Sequence, residues 1–247
     1  MKYENCSNEV CTHINKAVFE VAKEPVRITI SHPNYEYAHG KKLKNPKWIV
    51  VHYTACINVG ARAMCRAMRN NNDASSHFYI DENEICSAVP LEYIAWHVGN
   101  GKCKQPSANK TMSLKELSNY KAKDWRYDLA AKNHLEWQSN GDDFLGNSVS
   151  IGLDICCKKL DAKNNRSATA TDWYFEDEAV ENAAKTVAYL ANRYSIELSH
   201  IIRHCDATGK LCPQSFAWPP EIGDKKWEAF KEKVAEYIKS NVIAEWI

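Results

Sequence analysis

The chain has 247 residues, 45% of them hydrophobic, enough for one large domain or one domain with an insertion. Its 32 Lys and Arg balance 31 Asp and Glu, so the net charge is +1. That balance argues against the one-sided field of a nucleic-acid or anionic-membrane binder, and no apolar run approaches the roughly 20 residues that cross a bilayer. The segment from Met1 to Cys6 lacks the apolar run of a secretory signal. Eight Trp and twelve Tyr serve either a core or a groove that stacks on sugars, and composition leaves both open.

Residues 7–24 read as an amphipathic helix, because Val10, Ile14, Val18 and Val21 recur at helical spacing and Pro25 follows. A short strand is expected over 26–31 and a polar loop over 34–45. Residues 48–53 form a continuous apolar run, the pattern of a strand covered on both faces, and they deliver His52. A helix over 59–70 ends at an Asn-rich stretch. Residues 76–81 alternate as a strand, and a turn at 81–84 leads to a hairpin partner over 85–89. Residues 100–147 are polar and long for a simple loop. With helix-like pieces at 113–120 and 127–137, they read as an insertion near the active face. A second core strand is expected over 149–156, then a polar loop over 161–171. A strong amphipathic helix over 175–194 carries Ala179, Ala183, Val187, Leu190 and Ala191. A short strand at 201–203 runs into a turn or loop, and the last helix covers 227–240. Strands interspersed with helices predict an α/β fold, a central β-sheet flanked by helices.

Ten cysteines are present. Most read as small buried hydrophobes. Cys6 with Cys11, or Cys56 with Cys65, are the pairs an oxidising compartment would join. The absence of a CxxC argues against a zinc finger or a thioredoxin-type motif.

The chemistry concentrates in the segment Arg203 to Pro213, which holds His204, Lys210 and Cys212. With His52 these supply two His and one Cys, a set that binds zinc through three protein ligands. Catalytic zinc keeps its fourth position for water, whereas structural sites are closed by a fourth ligand, here Cys205 or Asp206. Asp154 is a lone carboxylate in an apolar strand, costly unless it faces a polar cavity or a partner.

Five blocks in order carry a family resemblance: 48–54; 75–81 with Ser76 and His77; 95–99 with Trp96 and His97; 147–155 with Asp154; and 203–213, ending Gly-Lys-Leu-Cys-Pro. Across about residues 46–218 the chain resembles the type 2 N-acetylmuramoyl-L-alanine amidases, which include phage endolysins and the peptidoglycan recognition proteins. The resemblance implies a mixed central sheet flanked by helices, in a catalytic domain over 46–247 with its insertion at about 100–147. Residues 1–45 are then an N-terminal helix and lead-in. It implies Zn2+ held by His52, His204 and Cys212, and cleavage of the amide between N-acetylmuramic acid and L-alanine of peptidoglycan.

The resemblance further casts Lys210 as the cation on the developing oxyanion and Asp154 as general base, where relatives commonly carry Glu. Ser76, His97 and Trp96 fall at substrate-facing positions, with His97 either holding substrate or the transition state or serving a structural role. Some relatives have Tyr where Ser76 stands, and serine lacks the reach of a phenol. His77 either orients a ligand or packs. The substrate partner is peptidoglycan, without nucleic acid or membrane insertion, and the chain is expected to be a monomer. It is expected to act on the bacterial wall, and to be either cytoplasmic until released or a trimmed secreted form. No wall-binding module is expected after residue 240, so targeting is expected to come from the catalytic domain or a partner. Some relatives bind peptidoglycan without cutting it; they typically lose the Cys ligand, which is present here.

Overall fold

The structure is a computed structural model that describes residues 25–30, 41–71, 73–99, 103–104, 111–112, 146–161, 170–208 and 210–240. The expected helix over 7–24, the Cys6 and Cys11 pair and the pieces at 113–120 and 127–137 lie outside these residues.

Six strands form one mixed sheet: β1 (Val26–Thr29), β2 (Trp48–Tyr53), β3 (Phe78–Ile80), β4 (Glu84–Ser87), β7 (Ser150–Ile155) and β10 (Ile201–Arg203). Their order is β1-β4-β3-β7-β2-β10. The neighbours from β3 to β10 are parallel, and only the β3–β4 hairpin pairs antiparallel. The lead-in contributes β1, parallel to β4 at the sheet edge. The two-residue strands β5 (Cys103–Lys104) and β6 (Thr111–Met112) pair within the expected insertion.

Helices cover both faces: α1 (Ala61–Met68), α2 (Asp177–Tyr194), α3 (His204–Thr208) and α4 (Pro220–Lys239). The strand period of two sorts the side chains between the faces. Ile49, Val51 and Tyr53 of β2, with Ile151, Leu153 and Ile155 of β7, join the main core with α2 and α4, through Val187, Leu190, Trp227 and Phe230. Trp48 and Val50 pack on the opposite face with Val98, Ile202 and Ala207. The intervening members, His52 on β2 and Ser150, Gly152 and Asp154 on β7, share that second face. Registry places His52 beside Asp154, and Asp154 beside Tyr79 of β3. Two of the chain's polar residues thus lie side by side near the carboxyl ends of parallel strands, where open α/β sheets bind ligands.

Several local expectations change. The last helix starts at Pro220, not residue 227; a proline preset near helical φ opens the first turn without losing a needed N–H. The first five residues of the turn or loop expected after the strand at 201–203 are helix α3. The expected loop after residue 160 is flanked by a hairpin of two-residue strands, β8 (Lys158–Lys159) and β9 (Trp173–Tyr174), too short to show a period. Cys65 pairs with Cys86 rather than Cys56, which is a free thiol, so the disulfide joins α1 to β4.

Asp81 fastens α1 to the β3–β4 turn. Its Oδ2 accepts the Ala61 N–H at 2.6 Å, and its Oδ1 accepts the Asn83 and Glu84 N–H groups at 2.8 and 2.6 Å. A Cβ at Gly60 would lie 2.7 Å from Oδ2, so the close approach requires glycine there. Because three backbone donors share one buried carboxylate, Asp81→Ala is expected to cost about 2–3 kcal/mol. In thermal unfolding that reads as a fall in Tm of roughly 5–10 °C.

Candidate metal centre

His52 is delivered by the end of β2, and His204 opens α3 immediately after the neighbouring strand β10. Cys212 returns from the following loop. The Cys205 N–H donates to the Cys212 carbonyl at 2.8 Å, closing that loop into a ring. Arg203 holds it from beneath. Its guanidinium meets the Asp206 carboxylate at 2.9 to 3.2 Å, the Phe216 carbonyl at 2.7 Å and the Asp224 carboxylate at 2.6 Å. Charge-assisted, bidentate contacts of this kind hold a loop tightly.

The result is that His52, His204 and Cys212, all buried, bring one ligand atom each within 4.8 Å of the others. His52 Nδ1 lies 3.7 Å from Cys212 Sγ. Among the described residues no fourth ligand joins them. Asp206 is engaged by Arg203, and Cys205 turns its thiol toward Asp206. The closed, structural type of site therefore finds no support in this arrangement.

The electrostatics suit a cation. Burial, then His204, His97 and Lys210, push the His52 pKa well down, leaving a neutral imidazole with a lone pair to give. Burial pushes the Cys212 thiol up to about 12, with Lys210 pulling the other way. A thiol in that position gives up its proton to a metal rather than to water.

A cleft of about 330 Å³ opens over these atoms. It is lined by the three ligands, Asp154, Lys210, His97, Trp96, Tyr79 and an apolar wall of Met64 and Met68 from α1. Lys210 is exposed, and Trp96 is 41% exposed at the rim. Burial raises the Asp154 pKa to about 6, and the Ser76 hydroxyl and Lys210 offset part of the shift.

Ser76, read as substrate-facing, is buried behind the cleft, and Ser75 lines it instead. His97 lines the cleft with its ring against His52, Nδ1 to Nε2 at 3.0 Å. His77 packs: Gly152 N–H donates to its Nδ1 at 3.0 Å, and its Nε2 meets the Tyr93 carbonyl at 3.0 Å. Residue reading missed Ser150 and Gly152 as supports, although the alternation of β7 already puts them on the Asp154 face. It also missed Met64, Met68 and Tyr79 in the cleft, whose burial looks like core from sequence.

The fold and site define an α/β protein with a His-His-Cys ligand cluster at the carboxyl end of a largely parallel sheet. The family profile described as N-acetylmuramoyl-L-alanine amidase matches residues 42–215, and the chain belongs to that family. It is 25% identical over 214 residues to the N-acetylmuramoyl-L-alanine amidase CwlL of Bacillus licheniformis, covering 83% of this chain and 45% of the relative. It is 26% identical over 197 residues to the N-acetylmuramoyl-L-alanine amidase BlyA of Bacillus subtilis (strain 168), covering 79% of this chain and 42% of that one. The chain thus spans less than half the length of these curated relatives. Among solved structures, the PlyG catalytic domain superposes with a TM-score of 0.54 at 22% identity, over 87% of this chain and 96% of that one. PlyL superposes with a TM-score of 0.53 at 21% identity, over 85% and 96%. These two likenesses show the fold.

Proposed function

We propose that this chain is a zinc-dependent N-acetylmuramoyl-L-alanine amidase domain acting on peptidoglycan of the bacterial wall. The observation that carries the reading is the convergence of His52, His204 and Cys212 on one cleft that also holds Asp154 and Lys210. The donor set fits zinc, which favours imidazole and thiolate. Bonds of about 2.1 and 2.3 Å at the tetrahedral angle set N and S about 3.6 Å apart, against 3.7 Å between His52 Nδ1 and Cys212 Sγ.

Zinc held there supplies Lewis acidity, polarising the scissile carbonyl and acidifying water. The protein's residues do the rest. Asp154, beside His52 in register, accepts the proton of the attacking water and can pass it to the leaving amine of L-alanine. The Lys210 ammonium reaches over the cleft toward the carbonyl oxygen as negative charge grows on it, where a fixed charge counts most. Met64, Met68 and the half-open Trp96 ring offer an apolar wall to the stem peptide or a sugar face. The domain works as a monomer on this reading, with residues 46–247 as the catalytic unit and β1 of the lead-in completing the sheet.

Digestion of purified peptidoglycan with and without a chelator, read by mass spectrometry, tests this. Stem peptides beginning with L-alanine are expected, lost on chelation and restored by zinc. Intact peptidoglycan that still retains zinc-loaded protein would replace the hydrolase with a binding module.

A further inference from the structure

We propose that His97 is a positioning residue. Together with Ser150 it locks His52 in the Nε2–H tautomer, so that Nδ1 presents its lone pair to the metal. The inference rests on the zinc reading of the site and concerns how this chain prepares its first ligand.

The Gly146 carbonyl oxygen can only accept. The Gly146 carbonyl takes the Ser150 hydroxyl proton at 2.8 Å. That uses the single proton Ser150 has, so toward His97 Nε2, 3.2 Å away, Ser150 Oγ can only accept. His97 Nε2 therefore carries a hydrogen. In a neutral imidazole the other nitrogen is then an acceptor. His97 Nδ1 faces His52 Nε2 at 3.0 Å, so His52 Nε2 is the donor and His52 Nδ1 is left unprotonated. It is His52 Nδ1 that lies 3.7 Å from Cys212 Sγ. Reversing the chain would set the Ser150 oxygen and the Gly146 carbonyl, two acceptors, 2.8 Å apart with no proton between them.

The chain keeps His97 in place by several independent means. Both the His97 and Val98 N–H groups donate to Asn147 Oδ1, at 3.1 and 2.8 Å. The Asn147 N–H in turn donates to the Gly99 carbonyl at 2.9 Å. The ring lies on Gly152, where a Cβ would come within 2.5 Å of His97 Cγ, so glycine at that point of β7 makes room for it. The His97 and His52 rings meet edge to face at 90° with centroids 5.1 Å apart. Both ring nitrogens of His97 are engaged inside the protein, which leaves none to bind substrate. Metal-ligating histidines in general use their second nitrogen in this way, and loss of such a partner weakens metal binding about 10–100-fold.

Nitrogen-15 correlation spectra of histidine-labelled, metal-free protein read the tautomer directly, whatever the site later binds. The expected result is His52 protonated at Nε2; His52 protonated at Nδ1 would overturn the inference. Zinc affinity, measured by competition with a chromogenic chelator, is the second readout. His97→Ala should weaken it about 10–100-fold. His97→Gln should restore it to within a few-fold, because its amide oxygen accepts from His52 and its NH2 reaches Ser150. Zinc binding by His97→Ala equal to wild type, or a Gln variant as weak as the Ala variant, would sink the relay. Wild-type protein that takes up no zinc would instead overturn the zinc reading and leave the tautomer measurement to decide the relay.

Discussion

Cys212→Ser is expected to strip the protein of zinc and to reduce amidase activity by more than about 100-fold, beyond the loss of a supporting partner. A serine hydroxyl does not ionise near neutral pH as a metal-bound thiol does, so the site keeps two neutral imidazoles and loses its one anionic ligand. Cys212 is buried, yet its main-chain carbonyl rather than its thiol closes the loop onto the Cys205 N–H, so the substitution leaves that ring intact. Zinc content by atomic absorption and melting temperature should therefore separate. The metal is lost while the chelator-treated wild type and the variant melt alike. Full zinc occupancy together with full turnover would remove Cys212 from the site.

Asp154→Asn is expected to lower kcat by about 100- to 10,000-fold, the range for removing a general base, with zinc retained. Its effect on stability should run the other way. Burial raises the Asp154 pKa from 3.8 to about 6 in the folded, metal-free chain. A carboxyl whose folded pKa is raised contributes nothing adverse below the unfolded value, and the cost of its charge grows as pH rises through the folded value. At pH 7 the metal-free Asn variant should melt at or above the wild type, and the difference should vanish below about pH 4. A divalent cation beside the carboxylate pulls its pKa down again, so the acid limb of kcat/KM in the loaded enzyme should lie at or below about pH 6 and disappear in the variant. A variant with wild-type turnover, or one that melts well below wild type, would make Asp154 a structural residue.

The parts of the site legible from sequence are those whose geometry is local. Short apolar strands are legible from sequence, so His52 could be assigned to a strand end and Asp154 to a core strand before any contact was known. His204 and Cys212 lie close enough in sequence that one loop must bring them together. The relay through His97 was not legible, because it joins residues 45 and 53 positions apart through a segment with no period of its own. The disulfide misled for a related reason. Proximity in sequence favoured Cys56 with Cys65, whereas α1 turns Cys65 inward onto β4 and Cys86. The start of α4 escaped because residues 220–226 are mostly polar, and the signal lay in Pro220 at the first turn.

The two halves of the ligand set lie 160 residues apart, and they meet because β2 sits between β7 and β10 in the centre of the sheet. In small zinc domains the ion drives the chain to fold, since the ligands cluster along a short segment. Here the loop carrying His204 and Cys212 can approach His52 only after strands distant in sequence have closed, the slow step of any topology rich in non-local pairing. The sheet must therefore close before the three side chains can share one ion. Until β10 has paired with β2, nothing brings His204 and Cys212 to His52.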